Sequence, residues 1–325
     1  KDTAGGYGTG NDFGKTFFSK FLNFFVNGMI GMPPINIMYV YSILEAEEVF
    51  YTRNYKDKEV VDADYIILSS SIIAHETELD ALNFLKLLNK KVFIVGIFAN
   101  TFKKKYLIGD SVIIPGEAEN FFLKIKKNKK LNKEILDSFF GTDKKQIENG
   151  FLENLDELPY PKWDKYLEKK LPLRNHFLDY DNRIAIPILA TRGCPYSCFQ
   201  YCTYPLQQGR KVRARSPENI VNEIKYWNNN FGIKKFVFRD PVFSINRKHT
   251  IELCNLIIKE KIKISYLIET HLNNLDDEII ELLKNSGLKM VYVGIESSDM
   301  NVLSNINRFT VKKDKQFEVI EKLGK

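Results

Sequence analysis

Residues 190–202 read Ala190-Thr-Arg-Gly-Cys194-Pro-Tyr-Ser-Cys198-Phe-Gln-Tyr-Cys202 and contain three of the four cysteines of the chain. An apolar run typical of a buried strand, residues 184–190, leads into them. Gly193 and Pro195 favour a loop directly after that strand. Three cysteines within nine residues of one loop indicate a metal site.

Three thiolates on one loop can hold a four-iron four-sulfur cluster through three of its irons and leave the fourth iron without a protein ligand. A structural zinc site normally uses C-x-x-C pairs with a fourth Cys or His, and the sequence contains no second pair. A disulfide fits poorly, because three cysteines cannot pair off and no secretory context is visible. The cysteines therefore favour an iron–sulfur cluster, with a zinc site and three buried thiols as the open alternatives.

The composition of the 325 residues is that of a globular protein, with 44% hydrophobic and 13% aromatic residues. Lys and Arg number 48 against 41 Asp and Glu, and the densest basic run, 124–133, is typical of a solvated helix end or a linker. Nucleic acid is therefore not an expected partner. The longest apolar stretch, 21–32, is too short to span a bilayer, so we expect no membrane association and a reducing cytoplasm.

The first part of the chain alternates strand and helix patterns. A Gly-rich segment, 1–32, matches no phosphate-binding loop and is interpreted as flexible. In residues 33–127 a proline-led helix is followed by predicted strands at 49–52, 65–69, 92–97 and 111–114, with helices at 76–88 and 118–127. This alternation predicts an α/β domain with a doubly wound, Rossmann-like parallel sheet, in which ligands bind at the carboxyl ends of the strands.

The second part predicts a different α/β architecture. Residues 128–182 are interpreted as a linker, with a polar helix pattern at 144–153 and a Pro-x-Pro segment at 158–164. From 183 to 325 four strand–helix repeats follow, with strands at 184–190, 235–240, 264–269 and 290–295. We therefore expect a partial TIM-like (β/α) barrel that is incomplete after the fourth repeat.

Carboxylates close three of these predicted strands. Asp240, Glu269 and Glu296 stand at the strand ends, the rim where barrel enzymes carry their chemistry. Each can also be a helix cap or a member of a salt bridge. The fourth cysteine, Cys254, lies among apolar residues of a predicted helix and is expected in the core.

Gly193-Cys-Pro-Tyr-Ser-Cys198, the aromatic Tyr201 before Cys202, and Gly209-Arg-Lys-Val-Arg-Ala-Arg-Ser-Pro-Glu-Asn resemble the radical S-adenosylmethionine (SAM) enzymes, in particular their cobalamin-binding branch. In that superfamily the open iron binds SAM, and an electron from the cluster cleaves it to a 5′-deoxyadenosyl radical. The chain departs from the usual C-x-x-x-C-x-x-C spacing, because three residues separate Cys198 from Cys202. The extra residue is expected to bulge out of the loop.

The resemblance implies a ligand set and SAM contacts, and no catalytic residue is assigned. Cys194, Cys198 and Cys202 would hold the 4Fe–4S cluster. Tyr201 stands where an aromatic packs near adenine, Asp240 where the SAM amino group is bound, and His271 where Arg is frequent. The implied SAM contacts are Tyr201, Asp240, Glu269 and Glu296.

The resemblance extends to residues 33–127, which look like the cobalamin-binding domain of this branch. They share its proline-led first helix and a Gly-Glu-x-Glu segment, Gly116 to Glu119, after the last strand. The D-x-H-x-x-G signature is absent around His75, so cobalamin is expected to bind without a protein histidine on cobalt. His75 itself is interpreted as the first residue of a helix.

The implied function is a cobalamin-dependent radical SAM enzyme, and we expect a methyltransferase acting on an unactivated carbon of a small-molecule substrate. It would need an electron donor such as flavodoxin or ferredoxin. Alternatives are a radical rearrangement or cyclisation enzyme, a non-catalytic cobalamin-binding sensor with a degenerate barrel, and a zinc-loop binding module. Because the family's partial barrel has six repeats, the sequence is expected to be a fragment. The sequence does not indicate the substrate.

Overall fold

The structure is a computed structural model in which two compact units are described. It describes residues 16, 18, 34–44, 49–50, 52, 54–71, 74–128, 132–141, 147–164, 185–198, 202–308 and 313–324. The first unit comprises the described residues up to Glu153 and Leu158–Trp163, and the second comprises Asn154–Glu157 and the described residues from Asp164 onward. None of the helices in these ranges combines the length and the apolar character that a bilayer crossing requires.

The first unit is built on a three-stranded parallel sheet. Its strands are β1 (Tyr65–Ser69), β2 (Lys91–Val95) and β3 (Asp110–Ile114), in the order β1-β2-β3. These three strands were predicted to within two residues. The predicted strand at 49–52 is wrong at positions 49, 50 and 52, which are not in a strand. Among the described strands the order follows the sequence, so the reversal that defines a doubly wound sheet stays a prediction.

Helices surround this sheet, and the three longest were predicted from sequence. The helices are α1 (Ile35–Leu44), α2 (Lys58–Asp62), α3 (His75–Leu87), α4 (Ile97–Thr101), α5 (Lys103–Tyr106), α6 (Ala118–Asn128) and α7 (Lys133–Asp137). His75 opens α3, as expected. The helices of five residues or fewer have too little periodicity for a sequence pattern to reveal them.

Both faces of the sheet are covered by packed side chains. Neighbouring residues of β2 point to opposite sides of the sheet, so this strand contributes to both faces. Val92 and Ile94 belong to one buried apolar cluster together with residues of α3, α4 and α5. Phe93 packs on the other side against four aromatic rings, with ring centroids 4.7 to 6.3 Å away. The four are Phe121, Phe122, Phe139 and Phe140.

Part of the segment predicted as a linker packs into the first unit. Leu152 and Trp163 are buried. The Leu152 N–H donates to Glu117 Oε2 at 2.8 Å, and the Lys162 N–H donates to the Met38 carbonyl at 3.1 Å. The helix predicted at 144–153 is not formed over its described part, 147–153. The first unit therefore extends past residue 127, although the domain boundaries stay a prediction.

The second unit contains a four-stranded parallel sheet and a short antiparallel ribbon. The sheet has the order β4-β7-β8-β9, and β5 pairs with β6. The strands are β4 (Ala185–Ile188), β5 (Thr191–Arg192), β6 (Arg213–Ala214), β7 (Lys235–Phe238), β8 (Ser265–Thr270) and β9 (Leu288–Val293). All four strands of the main sheet were predicted, to within two residues at every end.

The described residues of the second unit form six α-helices. They are α8 (Tyr204–Gln208), α9 (Pro217–Phe231), α10 (Arg247–Lys259), α11 (Asp277–Ser286), α12 (Met300–Asn305) and α13 (Lys313–Gly324). Ser216 caps α9 by accepting from the Asn219 N–H at 3.2 Å, and Gly287 ends α11 in the left-handed region. Cys254 is fully buried on α10, which confirms its place in the core.

Candidate functional site

The cysteine loop starts and ends on the ribbon formed by β5 and β6. Thr191 pairs with Ala214 and Arg192 with Arg213, so the loop leaves β4 and returns close to its start. The Cys194 N–H donates to the Gly209 carbonyl at 3.0 Å, which closes the base of the loop. Strand residues at both ends therefore hold a connection that has no regular structure over residues 193–198 and forms α8 after Cys202.

Gly193 permits the close approach of the two sides of the loop. Its φ is +96°, and a Cβ at this position would lie 2.1 Å from the Lys211 carbonyl oxygen. An L side chain is disfavoured at such a φ, and backbone atoms cannot move aside as a side chain can. Glycine is therefore required directly before the first cysteine.

The structure brings the three loop cysteines together. Cys194 is buried, and Cys198 and Cys202 are half-buried. Burial, with smaller contributions from the charges of Cys202 and Cys198, raises the pKa of the Cys194 thiol to about 11. Burial also raises the pKa of Cys202, again with a contribution from Cys198. Among the described residues, no three Cys, His, Asp or Glu side chains surround a position for a single metal ion.

Each of the three sulfurs accepts a hydrogen bond. Cys194 accepts from the backbone N–H of Tyr196, and Cys202 accepts from that of Tyr204. Cys198 instead accepts from a side chain, the Nη1 of Arg308, at 3.4 Å. N–H donors favour the anionic form of sulfur, which is the form that binds metal.

Asp240 lies at the end of β7, beneath the start of the loop. It is fully buried, and its carboxylate accepts from the Ala190 N–H at 3.0 Å and from the Thr191 N–H and Oγ1, each at 2.6 Å. Burial raises its pKa to about 6 despite these hydrogen bonds. In this structure Asp240 anchors the segment between β4 and β5, and its predicted contact with SAM stays a prediction.

Glu269 is held between two side chains that sequence patterns did not single out. Its Oε2 accepts from the Tyr204 hydroxyl at 2.9 Å, and its Oε1 pairs with Arg239 Nη1 at 3.3 Å. Burial followed by the charge of Glu269 raises the pKa of Tyr204 well above its usual range. Tyr204 opens α8 two residues after Cys202, so the network joins the end of the loop to the rim of the sheet.

Glu296 is exposed and lies near the third cysteine, whose pKa its charge raises. Its backbone is left-handed, with φ +63°. A Cβ on Gly294 would lie 2.7 Å from Glu296 Oε1, so the glycine leaves room for this carboxylate. Of the carboxylates predicted to bind SAM, Glu296 is the one whose side chain faces solvent beside the cysteines.

The residues after β8 also contact the cysteine loop. The ring of His271 packs on that of Tyr196 at 5.0 Å between centroids, and the Tyr196 hydroxyl donates to Asn274 Oδ1 at 3.3 Å. His271 is buried. His271 thus supports the cysteine loop through its contact with the Tyr196 ring. Tyr201, the predicted adenine neighbour, lies outside the described residues.

Sequence reasoning missed Arg308 and Tyr204. Tyr204 could have been suspected, since an aromatic so close to the third cysteine is available to line the site. Arg308 gives no such signal, because 110 residues separate it from Cys198. Only the return of the chain after β9 brings the guanidinium to the loop, where its Nη2 also donates to the Gly294 carbonyl at 2.6 Å.

In the first unit the carboxyl ends of the strands carry small residues and a buried carboxylate. Gly96, after β2, has φ +107°, and a Cβ there would lie 2.6 Å from the Ser70 carbonyl oxygen. Glu78 accepts from the Ser71 N–H at 2.7 Å and from the Tyr106 hydroxyl. Burial raises the pKa of Glu78 to about 7. His75 lies against the ring of Phe98, with centroids 5.3 Å apart.

Comparison with known proteins relates the second unit to a protein family. The model of the radical SAM superfamily matches residues 188–325. An uncharacterized methyltransferase of Pyrococcus horikoshii is 25% identical over 311 residues, which cover 85% of this chain and 63% of that protein. The anaerobic magnesium-protoporphyrin IX monomethyl ester cyclase of Rubrivivax gelatinosus is 29% identical over 150 residues, 46% of this chain and 25% of the relative. The chain thus spans less than two thirds of the length of these relatives.

Two solved structures of TsrM, a radical S-adenosylmethionine methyltransferase from Kitasatospora setae, share the fold. One, with tryptophan substrate and a SAM analog bound, superposes with a TM-score of 0.59 at 13% identity, covering 93% of this chain and 58% of that one. The other, with cobalamin and a [4Fe-4S] cluster bound, gives 0.54 at 16% identity, covering 89% and 56%. At such low identity the likeness establishes an α/β fold with parallel sheets and no more.

A radical SAM domain is one that holds a 4Fe–4S cluster and SAM, and the three thiols of the loop are the donor set that such a cluster uses. The family match begins in β4 and includes the loop, Asp240, Glu269, Glu296 and Arg308. Residues 188–325 therefore belong to the radical SAM superfamily.

Proposed function

We propose that the protein is a cobalamin-dependent radical SAM methyltransferase that acts on an unactivated carbon of a small-molecule substrate. The observation that carries the proposal is the cysteine loop, in which three neighbouring sulfurs each accept one N–H hydrogen bond. The methyltransferase relatives and the fold of TsrM support the reaction class. An external reductant such as flavodoxin or ferredoxin would supply electrons.

The residues present fit the cofactors of such an enzyme. Cys194, Cys198 and Cys202 would ligate the cluster, and the bound cofactors would supply one-electron cleavage of a sulfonium and a carrier for a methyl group. Glu296 is placed to accept hydrogen bonds from the SAM amino group or ribose. Glu269 is 23% exposed and can add one acceptor while it holds Tyr204.

The protein's own part in the reaction is to place and shield these groups. Gly193 sets the path of the loop, and Asp240 fixes its start on the sheet. His271 and the ring of Tyr196 close the loop from the side of β8. Two half-buried sulfurs leave the loop open on one side, where SAM and the substrate would enter.

For the first unit we propose a Rossmann-like cobalamin-binding domain and for the second a partial barrel. The small residues Ser70 and Gly96 at the strand ends let a large ligand approach the backbone. His75 packs on Phe98 at the start of α3, which agrees with cobalamin bound without a protein histidine on cobalt. Retention of cobalamin by the full chain through gel filtration tests this assignment, and a chain that emerges without cobalamin refutes it.

Anaerobic reconstitution of the full chain with iron and sulfide tests the cluster. We expect four irons per chain, as the cluster formula requires, and loss of this iron in Cys194→Ala, Cys198→Ala and Cys202→Ala. Cys254→Ala is the matched control, because this thiol is buried in the core of the same unit and should not affect iron content. Retention of iron in a loop variant, or binding of zinc in its place, would refute the cluster.

Addition of SAM and dithionite to the reconstituted chain should release 5′-deoxyadenosine. A chain that holds the cluster and cobalamin yet releases none would be a sensor instead. The cyclase of Rubrivivax gelatinosus among the relatives favours a second candidate, radical cyclisation or rearrangement. SAM labelled in its methyl group separates the two, since only a methyltransferase transfers the label to product.

A further inference from the structure

Arg308 occupies a position between the cysteine loop and the end of β9. One nitrogen of its guanidinium, Nη1, donates to Cys198 Sγ at 3.4 Å, and Nη2 donates to the Gly294 carbonyl at 2.6 Å. The hydrogen bond to Gly294 fixes the guanidinium at the rim of the sheet. The guanidinium is therefore already oriented for its hydrogen bond to Cys198. The guanidinium stays charged at any working pH.

Arg308 also lies within electrostatic range of the other two loop sulfurs, those of Cys194 and Cys202. The donors to those two sulfurs are backbone N–H groups, which every substitution except proline leaves in place. Cys198 differs from them, since its donor is a side chain that mutation can delete.

We infer that Arg308 is a positioning residue that raises the reduction potential of the iron–sulfur cluster through its hydrogen bond to Cys198. The inference rests on the cluster of the proposed function. Reduction adds one electron, and hence one negative charge, to the cluster and its thiolates. A cation and an N–H donor beside the sulfur stabilise the reduced state more than the oxidised one, and hydrogen bonds to sulfur and net charge are known determinants of cluster potential.

The test is a redox titration of the reconstituted full chain, followed by electron paramagnetic resonance of the reduced cluster in the absence of SAM. Arg308→Met should keep its iron but shift the midpoint potential downward. We expect a shift corresponding to about a tenfold loss in the reduction equilibrium, which is about 59 mV for one electron. Arg308→Lys, which keeps the charge but not the fixed fork, should fall between the two.

Arg210→Met is the matched control. Arg210 is exposed and its Nη1 donates to the Tyr196 carbonyl at 3.4 Å and to Ser197 Oγ at 3.3 Å, so it contacts the same loop without touching a sulfur. Its removal should leave the midpoint close to that of the unaltered chain. An equal shift in both variants would mean a general effect of surface charge and would overturn the role of Arg308.

The outcomes separate the inference from the function on which it rests. A chain that forms no cluster with its native sequence refutes the proposed function. A cluster whose potential is the same with Arg308 and with Met refutes the inference alone, and a fall in SAM affinity at unchanged potential would assign Arg308 to SAM instead. If Arg308→Met holds no iron, Arg308→Gln replaces it in the test, because Gln keeps an N–H donor without the charge. An unshifted midpoint potential in Arg308→Gln would also refute the inference.

Discussion

The two units place polar residues at the same topological position, the carboxyl ends of parallel strands, but use them differently. In the first unit Glu78 and Glu117 are buried, and each accepts a hydrogen bond from the protein's own backbone, from Ser71 and Leu152. In the second unit the loop after β4 gathers three sulfurs, and Glu296 beside them is exposed. The buried carboxylates of the first unit stabilise the fold through these hydrogen bonds. The cysteines and Glu296 of the second unit remain available to bind other groups.

Asp240 shows why this distinction is needed. It belongs to the second unit and to the rim, yet both of its oxygens accept hydrogen bonds from Ala190 and Thr191, as those of a structural carboxylate would. A strand-end position alone therefore does not identify a ligand contact. Burial together with satisfaction by backbone donors separates the two kinds of residue.

The largest effect on iron binding is expected at Gly193. Gly193→Ala forces an L residue into a left-handed φ, which costs about 1–2 kcal/mol, and sets its Cβ against the Lys211 carbonyl. We expect iron incorporation to fall by about tenfold or more, since about 1.4 kcal/mol is a factor of ten. Iron and sulfide analysis after reconstitution measures this.

Gly232→Ala provides the control for that change. Gly232 also has a left-handed φ, +67°, but a Cβ there meets no atom within 4 Å. The variant should lose about 1 kcal/mol of stability and keep its iron. If both variants bind iron equally well, the loop does not depend on the close approach of Gly193 to the Lys211 carbonyl. The contrast between the two units would then be weaker.

The largest effect on stability is expected at Asp240. Asp240→Ala leaves the Ala190 N–H and the two donors of Thr191 buried without an acceptor, so we expect a loss of about 3–5 kcal/mol in the free energy of unfolding. Asp240→Asn keeps one acceptor and should cost less. A variant with native stability but weakened SAM binding would instead make Asp240 a ligand contact, as its sequence position predicts.

Unfolding can be followed separately in each unit, because the chain has two tryptophans and each is buried in a different unit. In a Trp163→Phe background, the fluorescence of Trp227 reports on the second unit. In a Trp227→Phe background, Trp163 reports on the first. Urea titrations of the two backgrounds therefore assign each change in stability to its unit.

Much of the sheet architecture could be predicted from sequence, because its strands are continuous apolar runs and its long helices carry local start and stop signals. Ser216, which caps α9, and Gly287, which ends α11, are such signals. The cysteine loop was also predictable, since its three cysteines lie within nine residues. The strand at 49–52 and the helix at 144–153 were wrong where they are described, because short patterns without capping signals are weak.

The partners within the site could not be predicted in the same way. Arg308 and Cys198 are 110 residues apart, and Glu269 and Tyr204 are 65 apart. Nothing local marks such pairs. The use of Asp240 as an anchor was equally hidden, since two of its three donors are backbone groups that a sequence does not distinguish from one another.

A pH dependence in the first unit would sharpen the comparison. Because burial raises the pKa of Glu78 from 4.5 to about 7, the folded state binds this proton more tightly than the unfolded state. The free energy of unfolding should therefore fall as the pH rises from about 4.5 to about 7, by no more than about 3 kcal/mol. Urea titrations across this range, read through Trp163, measure it.

Glu78→Gln should remove that slope and fold, since an amide can still accept from Ser71 and can donate to the Tyr106 hydroxyl oxygen. The second unit has its own window, from about 3.8 to about 6, set by Asp240. Trp227 should follow that window in both chains. An unchanged slope at Trp163 in Glu78→Gln would mean that another group titrates in the first unit.

The smallest effect is expected from Tyr204→Phe, which deletes one hydrogen bond to Glu269 and leaves the pair with Arg239 in place. A single hydrogen bond to a charged group is worth about 1.5–3 kcal/mol, and the solvent that reaches the partly exposed Glu269 replaces part of it. We therefore expect a loss of about 1 kcal/mol in the second unit, read through Trp227, with iron content unchanged. Loss of iron at native stability would contradict this expectation. Tyr204 would then be needed for the iron site rather than for the fold, and the residues that the site requires would extend into α8.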